Sequence, residues 1–198
     1  MSAANGDPEV QRVLNFWFDR NPIEWIIAPA GLDDQLKAEF GDLVRKARNR
    51  ELDGWATASP ESSVALVALL DQFSRNLFRG TPEAFAGDEQ AWDVATRALA
   101  QDFDKQVPVI QASTFCMTLL NRESLISVIA ARCLWDNLKT RCTTQQEHEW
   151  VEMGIAGTKR HLVQLERFGR YPTRNKILGR ESTEAEEEFF KEHKPSLK

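Results

Sequence analysis

Apolar positions recur at helical spacing along nearly the whole chain, and no stretch alternates with the period of a strand. Val10, Val13, Leu14, Trp17 and Phe18 define a first helix, opened by Asp7 as cap and Pro8 at the first helical position and closed by Asn21-Pro22. The connection to Gly31 carries Trp25, Ile26 and Ile27, too apolar to lie free in water; it should fold back over the core or cover a pocket. A second helix runs from Leu32 to Arg50 with Leu36, Phe40, Leu43, Val44 and Ala47 on one face. Gly41 inside it costs helix stability, which a close helix contact would explain. Ser59-Pro60-Glu61 starts a third helix whose run VALVALL implies burial on most sides. Thr81-Pro82-Glu83 starts a fourth, carrying Phe85, Trp92, Ala95, Leu99 and Phe103, and Pro108 opens a fifth. Leu125 to Leu138 is the sixth, with Ile126, Ile129, Cys133 and Leu134 on its apolar side. Thr143-Thr144 starts a long helix that stops at Phe168-Gly169 and Tyr171-Pro172. Arg174 to Arg180 reads as irregular, and Ser182-Thr183 caps a short last helix. The pattern predicts an all-α single domain over residues 1–198, a bundle or array of about 8 helices joined by short loops, with residues 1–6 and 191–198 loose.

Charge sharpens this picture in one region. The formal net charge is -5, which argues against nucleic acid as a partner. Yet Lys159, Arg160, Arg167, Arg170, Arg174, Lys176 and Arg180 stand against a single acid, Glu166, in the segment 159–180. The three cysteines form no CxxC pair and fit free thiols in a reducing, cytoplasmic setting. The longest apolar run, Val64 to Leu70, is too short to span a bilayer, so no membrane span is expected.

The candidate chemistry lies in two stretches. The apolar third helix turns abruptly polar at Asp71, Gln72, Arg75, Asn76 and Arg79 before the Gly80-Thr81-Pro82 break. Buried groups of this kind need partners, from the protein or from a ligand. Asp71, Arg75 and Arg79 at i, i+4 and i+8 share a helical face and form either an internal ion-pair network or a carboxylate- or phosphate-binding fork. Arg167, Arg170, Arg174 and Asn175 form the second set, which either docks the C-terminal strap or joins the same cleft. Asp71, Asp88, Glu123 and Glu166 are the acids available to balance them. Of the three histidines, His148, His161 and His193, His161 is the best acid–base candidate. His148 and Glu152 lie one turn apart without a third ligand, so no metal site is expected. The six tryptophans are core fillers by default, but Trp25 and Trp55 lie in or beside loops and are expected to line a pocket. Cys116 reads as a small core residue. No GxSxG, P-loop or dinucleotide fingerprint occurs, so no cofactor is expected.

LLDQFSRNLFRGTPEAFAGD at 69–88 and RFGRYPTRNKILGR at 167–180, with VLNFWF near the start, resemble the domain of unknown function 924 family. The family pattern is close to LLDQFPRNxxRGTPxAFAxD, then PLMHSE in mid-chain, then a His before RFGRFPHRNxxLGRxST. The resemblance covers nearly the whole chain and implies a helical fold similar to tetratricopeptide-repeat arrays, without an established activity. His161 falls at the family's His before RFGR. Ser74 replaces the family's Pro, Thr173 its His, and Asn121-Arg122-Glu123 its HSE, of which Glu123 alone is kept. This member therefore lacks whatever acid–base role the mid-chain His and Ser play in relatives.

Together these residues lead to the expectation of a cofactor-independent enzyme of intracellular, including secondary, metabolism, of isomerase, cyclase or lyase type. Its substrate would be a small apolar molecule bearing a carboxylate or phosphate, since positioning and polarising hydrogen bonds suffice for such chemistry. Arg75 and Arg170 would hold the anionic group, with Asn76, Arg79, Arg174 and Asn121 also at the substrate and Trp25 and Trp55 as walls. His161, Glu123 and Asp71 would be the catalytic partners. The alternative is a non-catalytic helical module that grips a peptide or protein.

Overall fold

The structure, a computed structural model, describes residues 7–192; the expected loose ends at 1–6 and 193–198, with His193, lie outside the described residues. The chain is all-α. Helix α1 (Pro8–Phe18) opens as the sequence implies, the Asp7 carboxylate accepting the N–H of Glu9. The connection to Gly31 contains a short helix, α2 (Ile23–Ile26), before α3 (Leu32–Arg48). A further short helix, α4 (Trp55–Ala58), leads into one continuous rod made of α5 (Pro60–Val67), a π-helical turn (Ala68–Phe73) and α6 (Ser74–Leu77). Ser59 and Ser62 close a reciprocal capping box at its start. VALVALL is fully buried, as its lack of polar interruption requires.

The fourth helix departs from expectation. Thr81-Pro82 starts only a 3-10 turn (Pro82–Phe85), and α7 (Asp88–Ala100) begins after Gly87. A Cβ at Gly87 would overlap the carbonyl oxygen of Leu70, so the chain passes close against the rod immediately before α7 begins. A second 3-10 turn (Phe103–Gln106) precedes α8 (Val109–Asn121), α9 (Leu125–Lys139) and α10 (Gln145–Phe168), which pack as successive neighbours. Gly169, at φ 68, ends α10. A strap containing a 3-10 turn (Pro172–Arg174) then runs to α11 (Glu184–Glu192), so residues 191 and 192 are helical rather than loose. Counting the rod as one, the longer helices among the described residues number eight.

The apolar face of α9 is corrected. Val128, Ala131, Trp135 and Leu138 are buried, whereas Ile126 is 80% exposed, Ile129 49%, and Cys133 is exposed. The Trp135 ring decides the rotation of the helix, because it packs where a side chain on Gly154 of α10 would have to be. The close contact expected at Gly41 is also absent: a Cβ there would meet nothing within 4 Å. No helix among the described residues is long and apolar enough to cross a membrane.

Candidate functional site

The site is built where the rod changes pitch. Ser74 donates its backbone N–H to the Leu69 carbonyl across the π turn, and its hydroxyl donates to the same oxygen at 3.1 Å. The extra residue in the turn brings Asp71 and Gln72 inward, and both are buried. Asp71, 1% exposed, accepts from Arg75 Nε at 2.8 Å, from Asn121 Nδ2 at 2.9 and 3.0 Å, and from Gln72 Nε2. Asn121 is the residue that replaces the His of the family's HSE pattern. An imidazole N–H and an amide N–H both donate, so the exchange keeps a donor to Asp71 while removing a titratable group.

Arg75 reaches on to Asp88, the first residue of α7, at 2.9 Å. Burial opposes the Arg75 charge, yet Asp71 and Asp88 together raise its pKa. Asp88 is also approached by Arg174 of the strap, at 3.5 Å. Both guanidinium groups lie over the Phe85 ring, at 5.1 and 4.7 Å, and Arg174 also lies over Tyr171 at 5.0 Å. One arginine from each basic set therefore meets at a single aromatic platform. Burial pushes the Asp88 carboxyl up to about 6; Arg75 and Arg174 pull it down, while Asp71 adds to the rise. Arg174 is held below the ordinary guanidinium value by burial and by the charge of Arg75. Arg174 has one long contact to a carboxylate, and none of its nitrogens is among the sealed, unpartnered side-chain atoms of the described residues. Its remaining donors thus face accessible space.

The other candidates are placed elsewhere. Arg79 lies beyond the end of α6 and donates to Asp33 through two bonds, of 2.8 and 3.1 Å, and to the side-chain Oδ1 of Asn76 at 2.7 Å. It borders a separate cleft of about 710 Å³ lined by the 26–31 connection. Arg170 is committed to Glu186 by bonds of 2.7 and 2.8 Å, so it does not join Arg75. Glu123 accepts two bonds from Arg180 and one from the Tyr171 N–H. Burial opposes its charge, but these donors bring its pKa below the usual range. His161 shares Nδ1 with the Gly157 carbonyl at 2.9 Å and stands edge-on to Tyr171 at 4.9 Å. The Tyr171 hydroxyl donates to Leu120 and Arg122 carbonyls. Trp25 and Trp55 are core residues and not pocket walls: Trp25 stacks on Trp17 at 5.6 Å, and Trp55 donates to Asp7 at 3.0 Å. Cys116 is buried, and burial pushes its thiol pKa up. Among the described residues no three His, Cys, Asp or Glu converge as a metal site would require.

Two central residues were not singled out as site residues from the sequence, Phe85 and Asp88. The signal for Asp88 is its place as the final residue of the first long motif; that it opens a helix is seen only in the structure. Phe85 carries no local signal, because an aromatic in AFA reads as core.

Comparison with known proteins bears on this arrangement through the fold alone. The chain matches a solved structure of a protein of unknown function from Agrobacterium tumefaciens, with 31% identity and a TM-score of 0.80 over 93% of this chain and 98% of that one. No curated protein gives a significant match. The family model for bacterial proteins of unknown function designated DUF924 matches residues 13–194, the span that holds Asp71, Asp88, Asn121 and Arg174, and the chain belongs to that family.

Proposed function

We propose that the protein is a cofactor-independent enzyme acting on a small apolar molecule with a carboxylate or phosphate group. Its site is the Arg75–Asp88–Arg174 cluster over Phe85. The observation that carries this reading is Arg174, a largely buried guanidinium held flat by Phe85 and Tyr171 while most of its donors stay unpaired among the described residues. A planar fork held in this way suits an oxyanion. Asp88, raised to about 6, replaces His161 and Glu123 as the preferred proton-transfer group, since a carboxyl near that value can give or take a proton close to neutrality. Asp71, held by three side chains, fixes Arg75. Proton transfer with positioning fits an isomerase, lyase or cyclase. Free thiols at Cys116, Cys133 and Cys142 support a reducing, cytoplasmic setting.

The test is a thermal-shift and calorimetric titration with inorganic phosphate and short carboxylates. Wild type should be stabilised, by about 2.7 kcal/mol at a hundredfold excess over Kd, and Arg174→Gln should be stabilised clearly less. Affinity should fall as pH rises through about 6, because ionised Asp88 then competes for Arg174. Equal stabilisation of both chains, or none of either, refutes the anion site. With a substrate in hand, Asp88→Asn should lower turnover by roughly 100-fold or more.

The second reading, a helical protein-binding module, is favoured by the exposed Leu125, Ile126 and Ile129 on α9. It predicts that Ile126→Asp abolishes a stoichiometric complex while the titrations above give no response.

A further inference from the structure

Gly41 sits in the middle of α3, where glycine weakens a helix. Neither of the usual reasons for it holds. Its φ is not in the left-handed region, and a Cβ at this position would meet nothing within 4 Å. What the missing side chain does is leave a gap on one helical face, between Lys37 one turn before and Arg45 one turn after, with Arg48 further along. Leu77 and Phe78, at the end of the rod, stand opposite. The space between is a cleft of about 490 Å³ whose lining holds Lys37, Arg45 and Arg48 and no acid.

The charges are poorly answered from within. Lys37 makes no ion pair among the described residues. Arg45 reaches Asp42 at 3.7 Å and Glu51 at 3.8 Å, both exposed and outside the lining, and pairs of that length in water contribute little. Arg48 lies over the Phe78 ring at 4.6 Å, and its guanidinium makes no hydrogen bond or ion pair among the described residues. Glu83 is the carboxylate that feels its charge. Three cations around an open floor, in a chain of net charge -5, match a multiply charged oxyanion rather than a solvated surface. The apolar wall of Leu77 and Phe78 gives such an anion's organic body a place to rest.

We propose that the Gly41 face of α3 is a second binding site, for a small organic phosphate, the phosphate held by Lys37, Arg45 and Arg48 and the apolar part against Leu77 and Phe78. It is independent of the Asp88 cluster and stands or falls without it.

Phenyl phosphate and inorganic phosphate are titrated into the full chain at constant ionic strength. Wild type should bind phenyl phosphate roughly tenfold more tightly than inorganic phosphate, the apolar wall accounting for the difference. Gly41→Leu fills the floor with a good helix former, so it should melt at or above the wild-type temperature and yet lose roughly tenfold or more in affinity. Lys37→Gln and Arg48→Gln should each weaken binding, and Arg174→Gln should leave the part of it that Gly41→Leu removes unchanged. The proposal is overturned if phenyl phosphate does not bind, if Gly41→Leu binds it as wild type does, or if inorganic phosphate binds equally well. It is also overturned if Gly41→Leu fails to fold, since Gly41 would then serve packing.

Discussion

At the scale of single residues, the chain's unusual chemistry is the contest over Asp88. Its carboxyl is shielded from water, which disfavours the charge, and faces two arginines, which favour it; burial wins and the pKa rises to about 6. A raised carboxyl means that the folded state binds more protons than the unfolded chain between pH 4 and 6, so this group's contribution to stability falls as pH rises across that window. Asp88→Asn removes the slope. In paired urea titrations from pH 4 to 7 the variant should therefore gain on wild type by roughly 1–3 kcal/mol, even if it starts lower through loss of the Arg75 and Arg174 contacts. A parallel difference curve would show that Asp88 titrates normally. Asn121 gives the complementary case. It supplies two close contacts to a carboxylate that is 1% exposed, so Asn121→Ala leaves buried Asp71 one donor short, though still paired with Arg75, and should cost about 1–3 kcal/mol in the same assay.

Among the elements, the π turn explains a departure that the sequence alone leaves open. The family's Pro in this motif stands as Ser74 here. Ser74 opens α6 inside the continuous rod at φ -58, a value proline's ring allows, and its N–H makes the long bond that closes the π turn rather than a regular bond to the residue four before it. Ser74→Pro should therefore cost less than the roughly 3 kcal/mol of an ordinary mid-helix proline. A loss of that full size by urea unfolding would mean that the N–H of Ser74 holds the turn. The same elements show what could be read in advance. Asp7-Pro8, Ser59-Pro60 and Thr143-Thr144 announce helix starts because capping is local chemistry, and the structure begins a helix at each of the three. The face of α9 differs from the sequence reading because the helix has two apolar stripes; Ile126 and Ile129 mark one, and a tertiary contact, Trp135 against Gly154, selects the other. The site was half legible for a related reason. Motifs announce which residues are polar and buried, but which Arg meets which acid depends on the strap. Arg170 goes to Glu186 and Arg174 to Asp88, though both belong to one motif.

For the whole molecule, the two ends of the chain are secured by different means. The N-terminal part joins the core through an aromatic series: Trp17 stacks on Trp25, Trp25 meets Trp150 edge-on at 5.1 Å, and Trp150 meets Trp135 at 6.4 Å. The C-terminal strap seats Tyr171 in the core and is otherwise tied by charge. Glu186 closes a capping box with Thr183, accepts Asn175 and receives both arms of Arg170, while Glu123 binds Arg180. Hydrogen bonds from Arg170 hold the Glu186 carboxyl down at about 2, so the stability it contributes is present above the ordinary carboxylate range and is lost as pH falls toward 2. Apolar packing spreads strain through a core, whereas an ionic tether fails locally. Glu186→Ala should therefore loosen the strap alone: by hydrogen exchange, the Tyr171 and Arg180 amides, bound to Glu123 and to the Asn175 carbonyl, should exchange faster while the amides of α5 keep their protection. Trp25→Ala should cost about 3–5 kcal/mol and speed exchange in both regions together. Arg174 enters the site from the strap, so the first variant should also lose the Arg174-dependent part of the phosphate stabilisation while the core stays folded. If Glu186→Ala lowers protection in α5 as much as in the strap, the C-terminal segment is part of the cooperative core and its arginines are structural rather than poised for a ligand.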